Sequence, residues 1–132
     1  MSSSVSPTGR PLSPHLTVYR MIPTMFASIM HRFTGVALYF GTVLVAVWLV
    51  AAASGPEAFG WVNFVYSSWF GLLVLLGYTW ALMHHMLGGI RHFLWDATIL
   101  MDKHTATKLA YATFIGSAGL TALIWSIVAI LR

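Results

Sequence analysis

The chain has 132 residues, of which 58% are hydrophobic and only 8% charged, where a soluble domain carries about 25% charged residues. That deficit excludes an ordinary soluble domain and points to a membrane protein. The absence of cysteine excludes disulfides, thiolate-bound zinc and thiolate-bound iron–sulfur clusters, and a net charge of +4 without a basic cluster argues against nucleic-acid binding.

Residues 1–24, rich in Ser and Pro, read as a tail. They fit a cleaved signal peptide poorly, because the apolar run that follows begins too far in and is too long. Three stretches then lack Asp, Glu, Lys and Arg over the roughly 20 residues a hydrocarbon core requires. They are Phe33 to Ala53, a window within Ala58 to Ile90 that is most apolar around "WFGLLVLLGYTWALM", and Leu109 to Leu131. "SGPEAFG" (Ser54 to Gly60) interrupts the first two with Gly and Pro, and "DKHTATK" (Asp102 to Lys108) separates the last two. The spacing predicts an all-α unit over 25–132 with three transmembrane helices, at about 25–53, 61–96 and 105–131.

Orientation follows from the cations. Arg10, Arg20 and Arg32 precede the first span, and Arg91, Lys103 and Lys108 flank the second loop. The first loop holds Glu57 and no Lys or Arg, and Arg132 lies alone at the other end. The positive-inside rule therefore puts the N-terminus and the second loop on the cytoplasmic side or its topological equivalent.

Polar side chains at membrane depth are costly and face a partner, a cofactor or water. One cluster is "SIMHRFTG", Ser28 to Gly35. In a helix that begins near Ser28, the residues Ser28, His31, Arg32 and Gly35 share a face suited to a carbonyl, a carboxylate or a propionate. The plainer alternative has Arg32 snorkelling to the headgroups and Ser28 capping the helix.

The second cluster is "HHMLGGIRHFLWD", His84 to Asp96. In helical phase, His85, Gly88 or Gly89, His92 and Asp96 fall along one stripe, and His84, Gly88 and Arg91 along the next. With Arg91 near the interface, His85 lies about 9 Å deeper along the helix. Imidazole is an efficient axial ligand for haem iron, and the glycines clear space for a flat macrocycle or a second helix. The alternative is a hydrogen bond from His85 to a neighbouring helix carbonyl, with the glycines serving helix packing. Phase and depth leave His84 and His85 as rivals. Trp61, Trp69, Tyr66 and Trp125 read as interfacial anchors or bulk, and "GSAG" (Gly116 to Gly119) as a weak packing signal.

Three motifs together carry a family resemblance: "RPLSPHLTVYR" (Arg10 to Arg20), "SIMHRFTG" (Ser28 to Gly35) and "HMLGGIRHFLWD" (His85 to Asp96). In order and spacing, across essentially the whole chain, they resemble the cytochrome b membrane-anchor subunit of succinate dehydrogenase (succinate:quinone oxidoreductase, respiratory complex II). The resemblance implies a place in a heteromeric helix bundle and a haem b with His85 as axial ligand. The other ligand would come from a histidine of a second hydrophobic subunit. His84 falls outside the family pattern H-x-x-x-G-I-R-H. The resemblance further implies that Ser28 and Arg32 line a ubiquinone site, and that His31, Arg32, His92 and Arg91 rim the haem propionates. FAD and iron–sulfur clusters would belong to partner flavoprotein and iron–sulfur subunits, so the chain would not be catalytic alone. The implied location is a bacterial inner membrane, with the mitochondrial inner membrane as alternative. Other readings are a haem-free anchor, a fumarate reductase membrane subunit, and a proton-relaying transporter subunit, the last opposed by the lack of a mid-membrane acid.

Overall fold

The computed structural model describes residues 20–131. The tail expected over residues 1–24 therefore lies mostly outside the described residues, as do Arg10, Arg132 and all but the last residue of "RPLSPHLTVYR". Four helices follow in chain order: α1 (Pro23–Ser54), α2 (Pro56–Ser67), α3 (Trp69–Asp96) and α4 (Lys103–Leu131). The described residues contain no strand. Three of the helices, α1, α3 and α4, are long and apolar enough to cross a membrane, at 32, 28 and 29 residues. With 12 residues, α2 is about 18 Å long and too short to do so. The chain is an integral membrane protein with three spans.

The extra helix is the main departure from the expected layout. Gly55 adopts φ 118, a backbone conformation that favours glycine, and Pro56 follows as the first residue of α2. What reads as a loop is thus a one-residue joint between two helices. A second break, at Ser68, divides the helix expected over 61–96. The Ser68 hydroxyl accepts from the Gly71 N–H at 3.1 Å, capping α3, and also donates to the Val65 carbonyl. Gly71 carries no Cβ where the Val65 and Tyr66 backbone crowds it, so α2 and α3 meet at a tight corner. The other two starts shift by two residues: α1 starts at Pro23, where proline suits the first turn, and α4 at Lys103. Because α1 starts five residues before Ser28, that serine does not cap it.

Between the spans the packing is small and polar. The buried apolar residues are alanines (Ala27, Ala51, Ala81, Ala110), joined by Thr34, His84, Arg91, Thr113, Ser117 and Thr121. Phe33, Tyr39, Phe40, Trp69, Phe70 and Ile130 face outward. This is the arrangement expected where lipid-like surroundings offer no hydrophobic drive between helices, so that close backbone contact carries the packing. The interior hydroxyls are satisfied within their own helices: Thr34, Thr113 and Thr121 each donate to the carbonyl four residues back. Tyr66, read as an interfacial anchor or bulk, donates its hydroxyl to the Leu44 carbonyl at 2.7 Å and ties α2 to α1.

Candidate functional site

Three histidines, His31 of α1 and His85 and His92 of α3, gather where these two helices pack together. The ring of His85, half-buried on α3, stacks on His31 of α1 with centroids 4.0 Å apart and planes 6° from parallel. Its Nδ1 lies 3.1 Å from the His31 carbonyl oxygen and 3.4 Å from Thr34 Oγ1. A carbonyl only accepts, so Nδ1 carries the proton and donates to it, which leaves the lone pair on Nε2. The hydrogen bond to a neighbouring helix carbonyl, one of the two alternatives for His85, is therefore present, and it uses only one of the two ring nitrogens.

His84 occupies a different setting. It is fully buried, with its ring 4.7 Å from Phe114 and 5.2 Å from Trp80. Its Nδ1 is 3.3 Å from Ser117 Oγ on α4, while the Ser117 hydroxyl donates to the Phe114 carbonyl at 3.0 Å. The Ser117 oxygen is then an acceptor for a proton on His84 Nδ1. Adjacent in sequence, the two histidines face different helices: His84 towards α4 and His85 towards α1.

The buried stripe of α3 is Ala81, His84, Gly88 and Arg91, not the stripe that holds His92 and Asp96, both of which are exposed. Arg91 is 2% exposed, so it lies inside the bundle and not on its rim. Its Cζ sits 5.1 Å from the centre of the Trp95 ring, and among the described residues its Nε and Nη1 have no hydrogen-bond partner. The chain's three acids, Glu57, Asp96 and Asp102, are all exposed. Among the described residues, His31 Nδ1, His84 Nε2 and Trp95 Nε1 are also buried without a hydrogen-bond partner. This end of the bundle is rich in unsatisfied nitrogen and positive charge.

On α1 the predicted cluster divides between two faces. His31, Thr34 and Gly35 turn to His85, whose Cε1 lies 3.0 Å from where a Gly35 Cβ would stand. Arg32 is exposed and lines a shallow outer recess with Ile29, Phe33 and Val36. Ser28, one turn before Arg32, is half-buried. The His92 ring is 5.0 Å from His31 and so belongs to the same cluster despite its exposure. Among the described residues no three His, Cys, Asp or Glu side chains converge to hold a free metal ion. The sequence reading missed Thr34 and Ser117, although Ala110, Thr113, Ser117 and Thr121 recur at helical spacing as a stripe of small residues.

Fold and site together define a three-span membrane protein with a histidine cluster at one end of its bundle. Residues 6–124 match the family model described as succinate dehydrogenase/fumarate reductase transmembrane subunit. The chain is 44% identical to the succinate dehydrogenase cytochrome b556 subunit of Paracoccus denitrificans, over 92% of this chain and 93% of that one. It is 32% identical to the cytochrome b556 subunit of Rickettsia felis, over 88% and 90% of the two chains. With the mitochondrial cytochrome b560 subunit of Sus scrofa it shares 33% identity, over 88% of this chain and 72% of that one. The chain belongs to the succinate dehydrogenase/fumarate reductase transmembrane-subunit family, whose members are membrane subunits of an oxidoreductase complex.

Proposed function

We propose that this chain is the haem b-carrying membrane anchor of a succinate dehydrogenase, and that it forms part of the site where ubiquinone is reduced. The carrying observation is the hydrogen bond from His85 Nδ1 to the His31 carbonyl, which tethers the ring at that atom and leaves Nε2 as its lone-pair nitrogen. A ring nitrogen that donates to a backbone carbonyl is the usual support for an imidazole whose other nitrogen binds metal. The residues thus fit a haem ligand at His85. They do not fit one at His84, which is enclosed between α3 and α4. Naming of the relatives as cytochromes b556 and b560 supports the same cofactor.

When bound, haem b would supply a one-electron relay. This chain would contribute one imidazole from His85, and a histidine of a second hydrophobic subunit would contribute the other. His31 and His92 offer ring nitrogens toward the propionates, and exposed Arg32 offers charge to them and to the quinone. Arg91 acts from behind: its buried charge, with no acid of this chain beside it, raises the positive potential that an anionic propionate would meet. Ser28 donates its hydroxyl to a quinone carbonyl. The Arg32 guanidinium stabilises negative charge that grows on the quinone oxygens during reduction. The iron–sulfur clusters belong to a partner subunit, since this chain has no cysteine to ligate one, and FAD belongs to a partner flavoprotein. The N-terminus and the α3–α4 connection face the cytoplasm, on the charge asymmetry of Arg20, Arg32, Arg91, Lys103 and Lys108, and the setting is a bacterial inner membrane.

The test is purification through a tag on this chain. A flavoprotein, an iron–sulfur protein and a second hydrophobic chain should co-purify, with a reduced-minus-oxidised haem b spectrum and succinate-driven ubiquinone reduction. A complex of those subunits without haem would make the chain a structural anchor only.

A further inference from the structure

Gly88 is buried on α3, and a methyl group on its Cα would overlap His31 Nδ1 and lie 3.1 and 3.2 Å from Cε1 and Cγ of the same ring. All three of the nearest atoms belong to that one imidazole. The ring it admits is the one stacked on His85, and the carbonyl of the same residue receives the His85 Nδ1 proton. A histidine's outer torsion has a broad, shallow minimum, so one hydrogen bond tethers a ring atom without fixing the plane of the ring. A second flat group against its face supplies the missing restraint.

We infer that Gly88 is a positioning residue for His85: its missing side chain lets the His31 imidazole lie between α1 and α3 and set the plane of the His85 ring. The inference rests on the reading of His85 as an axial ligand, because ring plane matters to a coordinated iron and hardly at all to a packing residue. Neighbouring glycines serve other ends. Gly89 has open space where its Cβ would be, and Gly41 makes room for Tyr78 away from the imidazole pair.

The test uses the whole complex and the electron paramagnetic resonance signal of its oxidised haem, whose largest g value follows axial ring orientation. Gly88→Ala should shift or split that signal, while Gly89→Ala and Gly41→Ala should leave it at the wild-type position. His31→Ala should shift it too, and adding Gly88→Ala to His31→Ala should produce no further shift, because the ring that the methyl group meets is gone. An unshifted signal in Gly88→Ala overturns the inference. So does a Gly88→Ala shift of full size in the His31→Ala background. If Gly88→Ala alone fails to assemble, assembly of the double variant upholds the clash with His31, and failure of both overturns it. A wild-type complex with no haem signal instead removes the ligand reading of His85, and this inference with it.

Discussion

His84 and Ser117 meet between α3 and α4 with Nδ1 and Oγ 3.3 Å apart, both residues at 0% exposure. This polar contact joins two helices that also meet through the Phe114 ring on His84 and through Leu87 beside Gly116. It explains how an extra histidine is tolerated beside the one that faces α1. Because the Ser117 hydroxyl already donates to Phe114, it has only an acceptor to offer, and the imidazole must bring the proton.

Loss of that acceptor should be felt in stability and not in the haem. Ser117→Ala should lower the stability of the purified complex by about 1 kcal/mol, in the range of hydrogen bonds between membrane helices. A thermal melt followed by tryptophan fluorescence checks this. A shifted haem spectrum with unchanged melting would contradict the role given to the pair.

Arg32 should separate quinone chemistry from succinate chemistry. Arg32→Leu is expected to slow ubiquinone reduction on the order of 10- to 100-fold, towards the lower figure because the exposed guanidinium acts through a high dielectric. Succinate oxidation by an artificial acceptor, which bypasses the membrane site, should be unchanged. Normal ubiquinone turnover in this variant would remove Arg32 from the site.

The turn after α3 holds a local strain that can be relieved. Thr98 adopts φ 58, and its N–H bonds to the Trp95 carbonyl while the Ile99 N–H bonds to that of Leu94, each at 2.9 Å. That bonding pattern closes a helix C-terminus with a left-handed residue, a position where glycine is the usual choice and a β-branched side chain is strained. Thr98→Gly should therefore stabilise the complex, by about 1 kcal/mol, as read by an increased melting temperature. A decrease would show that the threonine side chain contributes something the backbone does not reveal.

Asp102 gives a pH dependence with a definite sign. The Thr105 hydroxyl and then the Thr105 N–H, 2.9 Å from Oδ1, hold its carboxyl below the ordinary carboxylate range at the start of α4. A carboxyl depressed by folding stabilises the protein above its unfolded pKa, and that contribution fades as pH falls through the folded value. Asn can cap the same helix at any pH. The melting advantage of the wild type over Asp102→Asn should therefore shrink steadily as pH is lowered below about 4. An advantage that holds constant down the series would deny the carboxylate its capping role.

Much of this was legible in the sequence because membrane spans announce themselves by length and lack of charge. Apolarity could not locate the breaks within an oily run. The corner at Ser68 depends on a hydroxyl cap and on Gly71 pressed against backbone, and both are invisible to hydropathy. The site divides in the same way. Helical phase grouped His84, Gly88 and Arg91 correctly as a stripe, but it did not say that this stripe faces inward. With both sides of the helix apolar, no amphipathic contrast marks the interior. The stripe Ala110, Thr113, Ser117 and Thr121 did carry a signal of small size, but only the packed helices reveal that it receives His84. Arg91 is the clearest surprise: a cation expected at the rim is enclosed, and its orphaned nitrogens follow from the absence of an acid nearby.

The most direct test of the account compares two substitutions at adjacent positions. Complexes carrying His85→Leu and His84→Leu should be purified and their reduced-minus-oxidised spectra recorded beside the wild type. His85→Leu should abolish or distort the low-spin haem b signal, while His84→Leu should retain it at near wild-type amplitude with a modest loss of thermal stability. Equal loss of haem in the two variants, or an intact signal in His85→Leu, would contradict the assignment of the two imidazoles.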